Sequence, residues 1–389
     1  MKDKQFLMIP GPTPVPETAL MAMAKHPMGH RSSEFSSILK ETFNDLKWLF
    51  QTERDVFIYT SSGTGAMDAA LSNLINEGDK VLCLVMGVFG DRWTKIAASR
   101  GAVVEKIEAE WGQAINSEKL RAVLEGDTNK KIKAVTLTHN ETSTGVTNHL
   151  KELTDIIKAH GALSIVDGVT SVGAIPIKMD EWGIDVAISG SQKGFMIPPG
   201  LAFLACSEKA MKVHSQCKYP SFYFNFTAHQ KSCADSTTPF TPAVSLIVAL
   251  NETLKMMKAE GLENIYTRHA RLTKGLRAAI RAIGLELFVE DDSIGSNAIT
   301  SILPPAGVTV PNIRKTLKND FDIIVANGQG KLTDKIFRMG HLGFICERDM
   351  IASVGALEMA LAKLGHKFDV GSGVGALIAA MSEEAVACC

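Results

Sequence analysis

The stretch Ile184-Asp185-Val186-Ala187-Ile188-Ser189-Gly190-Ser191-Gln192-Lys193-Gly194 decides the fold. Its apolar run, Ile184 to Ile188, reads as a buried strand, and the small residues after it read as a turn. A lysine then follows at the end of a core strand. Burying an ammonium without a partner is costly. Desolvation lowers a lysine's pKa, and the neutral amine is the form that traps carbonyls, so the room left by serine and glycine fits a lysine with a chemical task. A lysine here can equally snorkel to the surface. What raises Lys193 above that reading is its company.

Upstream, Ala162-Leu163-Ser164-Ile165-Val166 is a second apolar run, ending on Asp167, Gly168 and Val169. Ligands of open α/β sheets bind at the carboxyl ends of strands, so Asp167 and Lys193 are expected on one rim. An aspartate after a strand is often only a helix cap. Paired with a lysine, it is what pyridoxal phosphate requires, a carboxylate that keeps the pyridine nitrogen protonated. A third element is Val56-Phe57-Ile58-Tyr59 followed by Thr60-Ser61-Ser62-Gly63-Thr64-Gly65 and a helical stretch from Ala66 to Ile75. Such a turn offers free backbone N–H groups and hydroxyls to an anion at the positive end of a helix dipole. It has neither the Gly-Lys-Ser/Thr of a P-loop nor the Gly-x-Gly-x-x-Gly dinucleotide pattern, and taken alone it is also an ordinary helix cap.

These pieces recur in order along the chain. They are joined by Pro10-Gly11-Pro12-Thr13, Gly87-Val88-Phe89-Gly90, His139-Asn140-Glu141-Thr142-Ser143-Thr144-Gly145, Thr237-Thr238-Pro239 and Phe337-Arg338-Met339-Gly340. The chain thereby resembles the class V aminotransferases of the fold type I pyridoxal-phosphate enzymes, and within them the alanine–glyoxylate and serine–glyoxylate (serine–pyruvate) group. The resemblance implies a homodimer that moves an amino group from serine or alanine to a 2-oxo acid, glyoxylate above all, with pyridoxal 5'-phosphate as cofactor. It places the Schiff-base lysine at Lys193 and the pyridinium partner at Asp167. Ser62, Gly63, Thr64 and Gln192 fall on the phosphate ligands, Phe89 on a ring that stacks on the cofactor, and Val169 on the opposite face. Thr142 falls near cofactor and substrate, and Gly11 on the substrate side. Thr237 falls on a phosphate contact between subunits. Read locally, Phe89 can as well be a core residue and Thr142 a turn threonine.

Arg338 can be read without the family. It interrupts Ile336-Phe337-Arg338-Met339, a strand-like run, where a guanidinium must find an anionic partner. Either it pairs with an internal carboxylate or it waits for a ligand, and the resemblance makes that ligand the α-carboxylate of an amino acid. One departure from the family is Ala234, three residues before Thr237, where relatives often carry a tyrosine that reaches the neighbouring subunit's phosphate. Two other readings stand beside transamination. Cysteine desulfurases share the fold, with Cys346 the nearest nucleophile here, although they usually carry histidine where this chain has Gln192. Proteins similar to this chain also carry the label of a soluble hydrogenase small subunit, which implies a non-catalytic partner.

Apolar runs at Lys80 to Val85, Ala102 to Ile107, Ile132 to Thr138, Ala162 to Val166, Ile184 to Ile188 and Leu201 to Cys206 alternate with helical patterns. This predicts an α/β fold, a large cofactor-binding domain built on a mainly parallel sheet. A smaller C-terminal α+β domain follows, with helices over Thr241 to Ile283, Pro311 to Leu317 and Arg348 to Leu364. Its strands are expected at Leu285 to Val289, Ala298 to Leu303, Phe321 to Val325 and Lys335 to Met339. The expected divisions are an arm over 1–19, the large domain over 20–250, the small one over 251–370 and a frayed tail over 371–389. Lys218 to Pro239 reads as loop and dimer contact, and the prolines from Pro10 to Pro16 read as an extended arm. The loop Gly29-His30-Arg31-Ser32 receives no role beyond a solvated surface.

A net charge of −1 leaves no basic field for nucleic acid. Hydrophobic residues make up 46% of the 389, yet no run is long enough to span a bilayer, and Met1 to Gln5 do not read as a secretory signal. A cytoplasmic protein is expected. Seven cysteines without Cys-x-x-Cys spacing read as reduced thiols, and the scattered histidines give no metal site.

Overall fold

The computed structural model describes residues 5–382. Its strands are β1 (Phe6–Met8), β2 (Val56–Ser61), β3 (Lys80–Val85), β4 (Val103–Glu108), β5 (Ile132–Thr138), β6 (Asn140–Glu141), β7 (Val146–Thr147), β8 (Leu163–Asp167), β9 (Val186–Gly190), β10 (Gly200–Cys206), β11 (Ile299–Ile302), β12 (Ile323–Asn327) and β13 (Phe337–Gly340). The helices are α1 (Glu17–Met23), α2 (Ser33–Phe50), α3 (Gly63–Leu74), α4 (Val88–Ser99), α5 (Ser117–Gly126), α6 (Leu150–His160), α7 (Glu208–His214), α8 (Phe226–Ala234), α9 (Val244–Glu260), α10 (Leu262–Ala282), α11 (Val310–Phe321), α12 (Glu347–Lys363) and α13 (Ser372–Ser382).

The large sheet has the order β2-β10-β9-β8-β5-β3-β4. Only β10 runs against its neighbours. Strands such as Leu163–Asp167 and Val186–Gly190 are buried along their whole length. Helices cover both faces of such a sheet, which is why these strands read as continuous apolar runs rather than alternating ones. The parallel strands share one carboxyl edge. From it leave Ser62 after β2, Gly87 to Phe89 after β3, Asn140 to Thr142 after β5, Asp167 at the end of β8, and Lys193 just past β9. The expected rim is therefore present.

A second sheet, in the order β1-β12-β13-β11, has its own core of Leu272, Leu276, Ile280, Ile313, Phe337, Leu357 and neighbours. Arg338 lies on its inner strand, paired with Ala326 on one side and Ser301 on the other. The expected arm over 1–19 is corrected here. Phe6–Met8 form an edge strand of this sheet, parallel to β12, and α1 begins inside the arm at Glu17. The boundary at 250/251 likewise cuts the continuous helix α9. The cores change over inside α10 instead, where Ile265 and Tyr266 pack with the large sheet and Leu272 onward with the small one.

Three further expectations need correction. Leu285 to Val289 form no strand, only an isolated bridge from Leu287 to Ile302. Lys218 to Pro239 contain helix α8, started by Asn225, whose side chain accepts from the Ala228 N–H at 3.0 Å. Its buried positions, Phe226, His229 and Ser232, are mostly polar, so no apolar period marks it. The expected tail folds as α13 over Ser372–Ser382, which buries Leu377 and Met381 against α10. Its small residues permit close approach. A Cβ added at Gly275 of α10 would lie 2.6 Å from Met381. Cys388 and Cys389 lie outside the described residues.

Two buried histidines predict how the fold responds to acid. His269 gives its Nδ1 proton to the Ile265 carbonyl at 2.7 Å, leaving Nε2 to accept from the Gly343 N–H at 3.0 Å. Thr273 donates to the His269 carbonyl at 2.8 Å, which leaves its oxygen for His341 Nδ1 at 3.3 Å and puts the Thr300 hydroxyl on His341 Nε2 at 2.9 Å. Neither ring has a carboxylate among the groups that set its pKa, so nothing nearby offsets the cost of a second proton. Burial pushes both down to about 3, with Arg268 adding to the effect at His269, and His269 and Arg277 adding at His341. The unfolded chain, whose histidines titrate near 6.5, binds more protons in that window. Stability is thus complete above pH 6.5 and falls as the pH drops below it, by about 1.4 kcal/mol per pH unit for each ring. Urea unfolding measured from pH 7 to pH 5 should show stability falling, with buried His139, also pushed down to about 3, adding to the slope and Asp167, pushed up to about 7, opposing it; stability that rises toward pH 5 would contradict this.

Candidate active site

The carboxyl edge of the large sheet opens on a recess of about 200 Å³ lined by Ser62, Gly63, Thr64, Phe89, Arg92, Thr142, Asp167, Val169, Gln192 and Lys193 among others. Of the positions expected to hold a cofactor, only Thr237 is absent from this wall. A second cavity of about 300 Å³ includes Gly11, Phe89, Thr142, Lys193 and Arg338 in its lining. Lys193 belongs to both.

Lys193 is 9% exposed, and its Nζ donates to the Pro10 carbonyl at 2.5 Å. Burial pushes its pKa down to about 8, helped by the charges of Arg338 and Arg92 and opposed by Asp167. Roughly a tenth of the amine is then neutral at pH 7. The proline-rich segment is tied to this loop, since Thr13 donates its N–H to the Gln192 carbonyl at 3.1 Å and its hydroxyl to the Lys193 carbonyl at 3.0 Å. Gly11 has φ +133°, and a Cβ there would lie 2.8 Å from Lys193 Nζ. Only glycine lets the segment pass so close to the amine.

Asp167 is buried and accepts from the Val169 N–H at 2.8 Å. Burial pushes its carboxyl up to about 7, against the pull of that hydrogen bond, and nearby Glu141 raises it further while Arg92 and Lys193 lower it. A carboxyl so placed gains from a cationic partner. Ser62 is the N-cap of α3 but makes no side-chain cap bond, so its hydroxyl remains for another acceptor or donor. A Cβ on Gly63 would lie 2.9 Å from Val169, so glycine lets Val169 lie against the turn. Gln192 Oε1 is buried without a partner.

Thr142 turns its side chain inward to Thr170 Oγ1 at 3.1 Å, while its carbonyl accepts from Arg338 Nη1 at 2.7 Å. Arg338 also donates from Nε and Nη2 to the Asn327 carbonyl at 2.9 and 2.6 Å, and from Nη1 to Gln329 Oε1 at 3.2 Å. All of these partners are neutral oxygens. Burial lowers the Arg338 pKa to about 10, with Glu141 opposing. Thr237 accepts from Arg31 Nη1, which also donates to the Thr238 carbonyl at 2.7 Å. The Gly29 to Ser32 loop, read as solvated surface, is therefore anchored to Thr237. Cys346 stands at the N-cap of α12, its Sγ 3.4 Å from Asp349.

Sequence reasoning missed two residues. Arg92 donates to Thr64 Oγ1 at 2.7 Å, and its Cζ lies 4.6 Å from the centre of the Phe89 ring. It brings a guanidinium to the turn that starts α3, and its signal was its place three residues after Phe89 on α4. Glu141 is fully buried at the N-terminus of α4, accepting from Phe89, Gly90 and Ser143 N–H groups at 3.0–3.3 Å and from the Ser143 hydroxyl at 2.5 Å. A carboxylate on a helix N-terminus is stabilised by the dipole. It fixes Phe89 in the wall, a role no local pattern encodes.

The donor set fits pyridoxal phosphate. A helix N-terminus with an unused serine hydroxyl and a guanidinium suits a phosphate, a buried carboxyl suits a pyridinium, and a desolvated amine suits an aldehyde. Among the described residues no group of three His, Cys, Asp or Glu side chains is arranged to hold a metal ion, and no helix is long and apolar enough to cross a membrane.

Comparison with known proteins agrees with this geometry. A curated relative from Anabaena cylindrica, named soluble hydrogenase 42 kDa subunit, is 50% identical over 97% of this chain and 98% of its own. The serine–glyoxylate aminotransferase of Methylorubrum extorquens is 38% identical over 99% of this chain and 98% of its own. The crystal structure of a ureidoglycine–glyoxylate aminotransferase from Bacillus subtilis superposes with a TM-score of 0.93 at 30% identity, covering 98% and 99% of the two chains. The family profile of the class-V aminotransferases matches residues 6–337. By fold, by site and by relatives, the chain belongs to the class-V aminotransferases, enzymes that transfer amino groups with pyridoxal phosphate.

Proposed function

We propose that the chain is a pyridoxal-phosphate enzyme that moves an amino group from serine or alanine to glyoxylate. The observation that carries this reading is the meeting of Lys193, Asp167 and the start of α3 in one recess, with Arg338 in the cavity next to it. Ser62, Gly63, Thr64, Gln192 and Arg92 would hold the phosphate, Asp167 the pyridine nitrogen, and Phe89 and Val169 the two faces of the ring. When bound, the cofactor supplies a carbon that accepts the amine and a cationic ring that draws electrons from the substrate's Cα. Lys193 would be the residue that holds that carbon covalently, and its amine, when free, would move the proton of the substrate's Cα. Asp167 would keep the ring nitrogen protonated. Arg338 orients the donor by its carboxylate, and Gly11 leaves the amine room to swing.

A homodimer in the cytoplasm completes the proposal. Tyr219 and Phe222 are 82% and 84% exposed beside the segment that leads to Thr237, a surface suited to a second copy. From it Thr237 would reach the partner's phosphate, a contact that the tyrosine missing at Ala234 makes more important. A desulfurase reading would need Cys346 at the cofactor, and Cys346 is in the lining of neither cavity.

The test is glycine formation from glyoxylate with serine or alanine as donor, in wild type and in Arg338→Lys. The lysine keeps the charge but loses the fork that a carboxylate accepts bidentately. We expect kcat/KM to fall by about 10- to 100-fold, or roughly 1.5–3 kcal/mol, with the thermal midpoint near wild type. Unchanged kcat/KM for every amino acid would rule out the carboxylate role. Absence of any transfer by the wild type would overturn the function.

A further inference from the structure

The cavity that holds Arg338 holds a second guanidinium. Helix α11 is anchored by Thr309 as its N-cap and buries Val310, Ile313 and Leu317. Positions 310, 313, 314 and 317 share one face of a helix. Three are buried apolar residues, and the fourth is Arg314. Arg314 is half-buried at the edge of this stripe, with its Nε held by a backbone carbonyl of the neighbouring strand β12.

Arg314 Nε donates to the Val325 carbonyl at 3.2 Å, which leaves both terminal nitrogens for another partner. Among the described residues no carboxylate lies within ion-pair distance of it. Instead it lines the 300 Å³ cavity together with Arg338, Lys193 and Gly11. The two guanidiniums feel each other, since the charge of Arg314 is one of the causes that lower the Arg338 pKa. The carboxylate nearest in effect, Glu141, is already engaged by the Phe89, Gly90 and Ser143 donors. Two forks that repel each other across one recess are best neutralised by a ligand with two anionic ends.

We propose that Arg314 binds the distal carboxylate of a dicarboxylic amino donor, with aspartate the shortest such donor, while Arg338 holds the α-carboxylate. The inference rests on the aminotransferase reading but replaces its preferred donor, serine or alanine, with an acidic one. The reaction balances without an added oxidant. The amino group passes from the Cα of aspartate to the carbonyl carbon of glyoxylate, whose reduction takes the electron pair and proton released when the aspartate Cα–H bond breaks, giving oxaloacetate and glycine. Serine and alanine enter the same cavity but leave Arg314 unpaired, so an acidic donor gains the charge-assisted bonds they lack.

The test measures kcat/KM for aspartate and for alanine, each with glyoxylate, on the cofactor-loaded protein in wild type, Arg314→Lys and Arg314→Gln. Wild type is expected to favour aspartate. The ratio of aspartate to alanine should fall by about 10- to 100-fold in Arg314→Gln and by less in Arg314→Lys. Calorimetric binding of succinate, set against butyrate, reads the same site without chemistry and should weaken by a similar factor. If alanine is turned over but the aspartate ratio is unmoved in a variant with a wild-type thermal midpoint, the Arg314 assignment falls and the transaminase reading survives. If no amino acid transfers to glyoxylate, the transaminase reading falls, and succinate binding alone decides: weakening in Arg314→Gln keeps the dicarboxylate site, and equal binding in both proteins removes it.

Discussion

Lys193→Ala is expected to yield a folded protein that binds the cofactor without bonding to it and turns over at least about 10⁴-fold more slowly. On the proposed roles two tasks would be lost together, the covalent hold and the base that moves the Cα proton, and no neighbour could take over either. Arg338, lowered only to about 10, stays charged at pH 7 and cannot act as a base, and the Pro10 carbonyl cannot replace an amine. Stability should suffer little. The folded lysine titrates near 8 against 10.5 when free, so the unfolded chain binds more protons between those values, and below pH 8 the buried ammonium remains a burden on the fold. Removing it offsets the void left by its side chain, and the thermal midpoint at pH 7 should stay within a few degrees. Borohydride should fix the cofactor to the wild-type chain at Lys193 and to no residue of the variant. Label on another lysine of the wild type would sink the assignment.

How much of this was legible beforehand follows from which contacts are local. Lys193, Asp167 and the Ser62-Gly63-Thr64 turn each sit at the end of an apolar run, and a parallel sheet places all such ends on one edge, so their meeting follows from the order of strands. Arg338 was visible for a related reason: a charge inside a strand of apolar residues is conspicuous. What stayed hidden depends on partners distant in sequence. Glu141 reads as one acid in a polar turn until α4, some fifty residues earlier, brings its N-terminus to it. Arg92 lies on a helix whose charged residues all look solvated. Arg314 is masked by the lysines around it, and only the packing of Val310, Ile313 and Leu317 shows which face it occupies. Helix α13 was misread because Gly373 and Ala380 look like low complexity in a sequence and like close packing in a structure.

Asp167→Asn tests the electronic half of the site and should slow transfer by about 10²–10³-fold while weakening amino-acid binding far less. Asparagine keeps the shape, and its side-chain oxygen can still accept from the Val169 N–H, so the strand end and the turn after it should not move. What disappears is the charge. In the buried carboxyl, pushed up to about 7 by desolvation, a positive ring nitrogen finds a partner that gains from ionising beside it, and each stabilises the other in a medium where water competes poorly. On the proposed role, a neutral amide would not keep a proton on the ring, so the electron pair released at Cα would lose its sink and the cost would fall on the chemical step. The split is therefore diagnostic. Single-turnover mixing with serine or alanine should show near-normal saturation with a much slower rate of proton removal, and deuterium at Cα should slow the variant more than wild type. If the rate of proton removal in Asp167→Asn matches wild type, Asp167 is only the carboxylate that anchors the Gly168 turn, and the ring draws its charge from elsewhere.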